Sequence, residues 1–178
     1  MELILASRSP QRRAILEQLG IEFSVEPADV EELEAGEPVR VACENARRKM
    51  EAVEGEIVLG VDTVVALDGR IYGKPENEED ATSTLSALSG RTHEVVTGLA
   101  VQDEVDCAIT RVTFRALSDE LLSWYVGTGE WRDRAGGYAI QGRGAALVER
   151  IEGDYLNVVG LPVALLLDRL PWLIGAAR

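Results

Sequence analysis

A chain of 178 residues, 46% of them hydrophobic, is sized for one domain and can bury a substantial core. Its formal net charge of −13 and isoelectric point near 4.5 weigh against nucleic acid or a membrane as partner, though not against a small anion met by a few converging cations. No apolar run approaches the ~20 residues of a membrane span. The first six residues have an acid where a signal peptide has a basic start, and Cys43 and Cys107 have no metal or redox spacing. A cytoplasmic protein with reduced thiols is the expectation.

Leu3 to Ala6 is predicted as a short buried strand. Ser9-Pro10 then opens a helix, Ser as N-cap and Pro at the first helical position, which Gly20 stops. Ile21 to Val25 alternates as a strand, and residues 26–37 are an acidic loop. Pro38 opens a second helix, running to about Val53. Ile57 to Val61 is a buried strand that Val64 to Leu67 continues, and Asp68-Gly69 turns the chain into a hairpin with Arg70 to Tyr72. Asn77 caps a third helix ending before Gly90. Thr92 to Gln102 and Val105 to Leu117 are long strands joined by a turn at Asp103-Glu104. Ser118 caps a fourth helix with Asp119 and Glu120 in its first turn, as the helix dipole prefers. Residues 127–144 are Gly-rich and irregular, Ala145 to Ile151 is a strand, and Leu161 to Leu170 is a closing helix. Hairpins mixed with helices predict an α/β fold with a partly antiparallel sheet, one domain spanning residues 1–178.

Sixteen of the eighteen basic residues are arginine, leaving only Lys49 and Lys74. A lysine kept against that bias suits a place that needs a compact ammonium rather than a planar fork, although two residues are also a small remainder of composition. Ser7-Arg8-Ser9-Pro10-Gln11-Arg12-Arg13 joins a strand to a helix start, where free N–H groups attract anions and where a cation is disfavoured by the dipole. A polyphosphate would remove that penalty and engage the hydroxyls; a plain capped helix with solvated arginines is the alternative. Asp62, inside a run of Val and Leu, needs a metal, a cation or a catalytic task such as deprotonating water, unless it caps a turn at a strand end. Glu31-Glu32 have the chemistry to hold a divalent ion with Asp62, or are solvated loop acids.

Other motifs carry less. Gly69 to Lys74 fails as a phosphate-binding P-loop: the spacer is one residue short, Pro75 replaces Ser or Thr, and a hairpin replaces strand-to-helix. His93, the only histidine, has no nucleophile elbow near it and reads as structural. Trp124, Trp131 and Trp172 read as core or interface residues.

In combination, Ser7 to Arg13, Ala46-Arg47-Arg48-Lys49, Val61-Asp62-Thr63-Val64-Val65, Gly73-Lys74-Pro75, Leu88 to His93, Ala135 to Gly142 and Ile151 to Pro162 resemble the Maf family of nucleoside triphosphate pyrophosphatases. The resemblance covers Leu3 to about Leu167. It implies a twisted mixed sheet flanked by helices, with two lobes around a cleft, as in the Maf and inosine-triphosphatase group. It also implies hydrolysis between the α and β phosphates, with a divalent cation (Mg²⁺ or Mn²⁺) as cofactor and a homodimer as the usual assembly. On this resemblance Asp62 accepts the proton of water, Ser7, Arg12, Arg13, Lys49 and Lys74 hold the triphosphate, and Glu32 helps bind the ion together with Asp62. Thr63 and Gln141 look like the branch acting on dTTP and UTP, whereas Gln11 stands where that branch commonly has Arg. Two rivals belong to the same resemblance: a nucleotide-binding regulator of septum formation in cell division, and a house-cleaning pyrophosphatase for modified nucleotides such as 7-methylguanosine triphosphate.

Overall fold

The computed structural model describes residues 2–175. Seven strands form one continuous mixed sheet in the order β2-β1-β3-β5-β6-β7, with β4 also paired to β3. The strands are β1 (Leu3–Leu5), β2 (Phe23–Val25), β3 (Ile57–Leu67), β4 (Arg70–Tyr72), β5 (Thr92–Val101), β6 (Glu104–Phe114) and β7 (Val148–Glu152). The helices are α1 (Pro10–Gln18), α2 (Pro38–Glu51), α3 (Glu78–Leu88), α4 (Asp119–Gly127), α5 (Tyr155–Val159) and α6 (Val163–Arg169). β1 runs parallel to β2 and β3, and the remaining pairings are antiparallel. The expected partly antiparallel α/β sheet is therefore present.

β3 is the axis of the sheet. Its run of Val, Leu and Ile is buried on both faces, as a central strand covered by helices requires. Leu5, Leu16, Leu59, Leu99 and Leu166 pack in one apolar cluster around its first half. Val65, Leu85, Phe114, Tyr125 and Leu147 pack in another around its second half.

β3 changes neighbours along its length. On one edge, β1 pairs with Ile57 to Leu59 and β4 pairs with Val65 to Leu67. Residues 60–64 have no strand on that edge, while β5 pairs them on the other. β1 leaves its pairing at Leu5, with Ala6 N–H still donating to the Leu59 carbonyl at 2.9 Å, and runs toward the gap. β4 runs the opposite way and leaves at Tyr72, opposite Val65, also toward the gap. Two carboxyl ends of strands thus converge on Asp62 and Thr63, the kind of switch point where open α/β sheets bind ligands.

Helix α2 lies unusually close to the sheet. A Cβ at Gly60 would sit 2.1 Å from the Ala46 carbonyl oxygen, and one at Gly98 would sit 2.3 Å from that of Ala42. Only glycine at these two positions lets the helix backbone rest on β3 and β5. Glu37 caps α2 by accepting from the N–H groups of Val39 (3.1 Å) and Arg40 (2.7 Å), and Arg48 and Lys49 in its last turn complement the dipole.

Three of the differences from the sequence-based expectations have a visible physical cause. The β5–β6 turn falls at Gln102-Asp103, one residue early, because those two residues both adopt left-handed φ values of 50° and 64°, as a tight hairpin turn demands. The strand expected from Ala145 begins at Val148, since the Glu130 carboxylate accepts the N–H groups of Arg143 (2.8 Å) and Gly144 (3.3 Å) and winds 143–147 into a 3₁₀ turn. An extra helix, α5, precedes the closing one, capped by Asp154, whose carboxylate accepts the Leu156 N–H at 2.8 Å.

Candidate active site

Side chains alternate along β3, so Asp62 faces α2 while Thr63 faces α1. Asn45 and Lys49 lie four residues apart on the buried stripe of α2, one turn above each other. Lys49 Nζ donates to Asp62 Oδ1 at 2.7 Å, and Asn45 Nδ2 donates to Asp62 Oδ2 at 3.0 Å. Both carboxylate oxygens of Asp62 are therefore held from one helix face. All three residues are buried, Asn45 almost completely.

The acidic loop closes over this pair. Asn45 accepts the Leu33 N–H at 2.7 Å and donates to the Leu33 carbonyl at 3.0 Å, imitating a strand partner. That clamp sets Glu32 beside the site, where its Oε1 lies 2.9 Å from Lys49 Nζ. Arg48 adds a bond from Nη1 to the Glu31 carbonyl at 2.9 Å, so Glu31 contributes its backbone here. Glu32, but not the Glu31 carboxylate, is joined to the cluster.

On the other face, Arg12 projects from the first turn of α1 into the protein. Its Nη1 donates to Ser7 Oγ (2.9 Å), its Nη2 to Thr63 Oγ1 (3.1 Å) and its Nε to the Gly160 carbonyl (2.8 Å). Burial pushes the Arg12 guanidinium below its ordinary range, while the charges of Asp62 and Glu32 pull it back up. Thr63 Oγ1 also bonds Thr97 Oγ1, its cross-strand partner, at 3.0 Å. Thr63 thus orients Arg12. Ser7 further accepts the Ser9 N–H at 3.2 Å, and Ser9 Oγ donates to Gln11 Oε1 at 3.1 Å, which ties Gln11 to the same loop.

Three of the sequence-predicted residues lie apart from this network. Arg13 is 63% exposed and pairs with Glu17 at 2.7 Å, one helical turn along α1. Lys74 is exposed on the segment that leaves β4 toward the gap, without an ion pair among the described residues. Gln141 is exposed beyond the segment 135–140, which lies against both β3 and that same loop. There Gly136 N–H donates to the Gly73 carbonyl at 3.0 Å, and a Cβ at Gly136 would meet Val65 at 2.8 Å. Lys74 and Gln141 therefore belong to segments that brace each other beside the second half of β3.

Asn45, Thr97 and Gly160 are parts of the site that sequence reasoning missed. Asn45 had a readable signal: it interrupts an apolar stripe of Val41, Ala42, Ala46 and Met50 at the same spacing as Lys49. Among the described residues no group of three or more His, Cys, Asp and Glu side chains forms a metal cage. No helix among them is long and apolar enough to cross a membrane.

This arrangement places an anionic oxygen acceptor at the convergence of two strand ends, flanked by an ammonium, a buried guanidinium and two hydroxyls. It is equipped to receive a polyanion and to take a proton beside it. Comparison with known proteins agrees in kind. The chain is 49% identical over 187 residues to a dTTP/UTP pyrophosphatase of Anaeromyxobacter dehalogenans (strain 2CP-C), with 96% of each chain covered. It is 47% identical to proteins of the same name from Pyrococcus furiosus, covering 93% of this chain and 92% of that one, and from Caldanaerobacter subterraneus subsp. tengcongensis, covering 96% and 88%. The family model described as Maf-like protein matches residues 2–172. With that match along nearly its whole length, the chain belongs to the Maf-like protein family.

Proposed function

We propose that this protein hydrolyses nucleoside triphosphates, dTTP and UTP foremost, to the monophosphate and pyrophosphate. The observation that carries the reading is Asp62, buried at the gap in the β3 edge and held through both oxygens by Lys49 and Asn45. Each oxygen keeps a lone pair beyond those bonds, so the carboxylate can still accept a proton from a water poised against the phosphate chain. Asn45, itself clamped to Leu33, keeps that carboxylate oriented for the proton transfer, which is where positioning contributes to rate. Arg12, with Ser7 and the N–H groups at the start of α1, receives phosphate oxygens from one side. Arg13 and Lys74 supply further cations from flexible, exposed stems.

Glu32 and Asp62 suit a divalent ion, because both carboxylates already converge on a single cation, the Lys49 ammonium. Two carboxylates completed by phosphate oxygens and water are a common donor set for Mg²⁺. Such an ion supplies charge neutralisation on the phosphates when bound. Gln141 presents an amide able both to donate and to accept, which matches the edge of uracil or thymine.

The test is product identification from UTP and dTTP with Mg²⁺ or Mn²⁺ present. Monophosphate plus pyrophosphate is the expected outcome. Diphosphate plus orthophosphate would overturn the reading.

A further inference from the structure

We infer that Lys49 is a resident stand-in for the divalent ion: its ammonium occupies the place between Glu32 and Asp62 that the ion takes, and it transfers to the triphosphate when the ion enters. The inference rests on the proposed pyrophosphatase reading and concerns the order of events at that same site.

Four observations carry it. Lys49 Nζ lies 2.7 Å from Asp62 and 2.9 Å from Glu32, so one compact cation bridges two carboxylates contributed by a strand and a loop. Asp62 is buried while Glu32 is 48% exposed at its side chain, so the bridge meets solvent at Glu32. Cation exchange therefore has a path. Asn45 holds Asp62 Oδ2 and both backbone groups of Leu33 independently of Lys49, so the carboxylates stay together when the ammonium leaves. Finally, the charges balance without any ligand: Lys49 and Arg12 oppose Glu32 and Asp62. An added dication would leave a surplus of positive charge unless a polyanion arrived with it.

A lysine fits this task better than arginine would. Its four-carbon stem swings freely, and its ammonium is a compact point charge, whereas a guanidinium would wedge the carboxylates apart. The ammonium has a third N–H to give, and phosphate oxygens are its natural acceptor once the carboxylates are taken by the ion. The consequence is coupled binding. The ion alone must displace Lys49 with nothing to receive it, whereas the ion and a triphosphate together give Lys49 a new partner.

The test is Mn²⁺ binding to the nucleotide-free protein, followed by calorimetry or by the electron paramagnetic resonance of free Mn²⁺, with no turnover involved. Lys49→Met removes the competing charge and keeps the stem. It is expected to tighten Mn²⁺ alone by on the order of tenfold or more, since a like charge a few ångströms away disappears. The same variant is expected to weaken binding of α,β-methylene UTP with Mn²⁺ present, because the phosphate loses its ammonium. Adding Glu32→Gln to Lys49→Met should abolish the gain. Lys49→Gln serves as the second variant should the methionine protein fail to fold, with the same two opposite signs expected. Unchanged or weaker Mn²⁺ binding in the folded variants overturns the inference, even if UTP is hydrolysed to UMP and pyrophosphate. Tighter Mn²⁺ binding by the variants, when the unsubstituted protein cleaves no triphosphate, would instead overturn the functional reading and leave this one standing.

Discussion

Replacing Gly98 by alanine tests whether the closeness of α2 to the sheet is what assembles the site. The new Cβ would lie 2.3 Å from the Ala42 carbonyl oxygen, 2.4 Å from its carbon and 2.7 Å from the Cys43 nitrogen. All three atoms are helix backbone, so no flexible side chain can yield. Restoring ordinary contact lifts α2 by about 1 Å, an overpacking strain costing roughly 1–3 kcal/mol. For a chain of this size that lowers Tm by roughly 2–12 °C. The functional effect is expected to be larger than the loss of stability. Asn45 Nδ2 and Asp62 Oδ2 are 3.0 Å apart, and about 1 Å more takes them out of hydrogen-bond range. Misplacement on that scale costs about 10² in turnover. Gly127→Ala in α4 is the control, since nothing lies within 4 Å of its added Cβ. Differential scanning calorimetry and steady-state UTP hydrolysis would be measured on both variants. A Gly98→Ala protein with parental Tm and kcat would refute the seating of α2 as the organising contact.

Arg12 and Arg13 should separate cleanly. Arg12→Ala removes one hydrogen bond each from Ser7, Thr63 and Gly160 and should lower stability by roughly 2–4 kcal/mol together with activity, whereas Arg13→Ala loses an exposed pair worth about 0–1 kcal/mol and should raise KM with Tm unmoved. His93, buried with Nε2 2.8 Å from the Tyr138 hydroxyl, has its pKa pushed down from 6.5 to about 4 by burial. Because its folded pKa is depressed, its contribution is full above pH 6.5 and is lost as pH falls toward 4, up to about 3 kcal/mol. Chemical denaturation of His93→Gln across that window should show a shallower acid decline, and an unchanged slope would exclude His93 as its source. Gln141→Glu removes a donor from an exposed loop, so kcat/KM for UTP and dTTP should fall relative to GTP while Tm stays put. Equal losses for every nucleotide would remove Gln141 from base selection.

Local chemistry makes part of the fold and site legible in the sequence. Ser9, Asn77 and Ser118 each accept a backbone N–H at the helix starts where their side chains predicted caps. Asp68 and Gly69 both take the left-handed φ values that their hairpin implied. Asp62 was visible as an acid in an apolar strand, and the scarcity of lysine pointed to Lys49, which does meet it. What stayed hidden depends on contacts between distant segments. Gly60 and Gly98 carry no local signal of their role, because nothing near them in the sequence tells that a helix backbone will lie across them. Gly160 enters the site through its carbonyl, 148 residues from Arg12, and a backbone atom carries no residue-type signal. The 3₁₀ turn at 143–147 likewise depends on Glu130, thirteen residues away.

The most direct measurement is turnover of UTP by Asp62→Asn at saturating metal, paired with binding of α,β-methylene UTP. Asparagine keeps the size of the side chain and one acceptor oxygen for Lys49, but it has lost the basicity of the carboxylate. If Asp62 is the proton acceptor, kcat falls by roughly 10²–10⁴ while the nucleotide still binds. Turnover near the parental value would contradict that role.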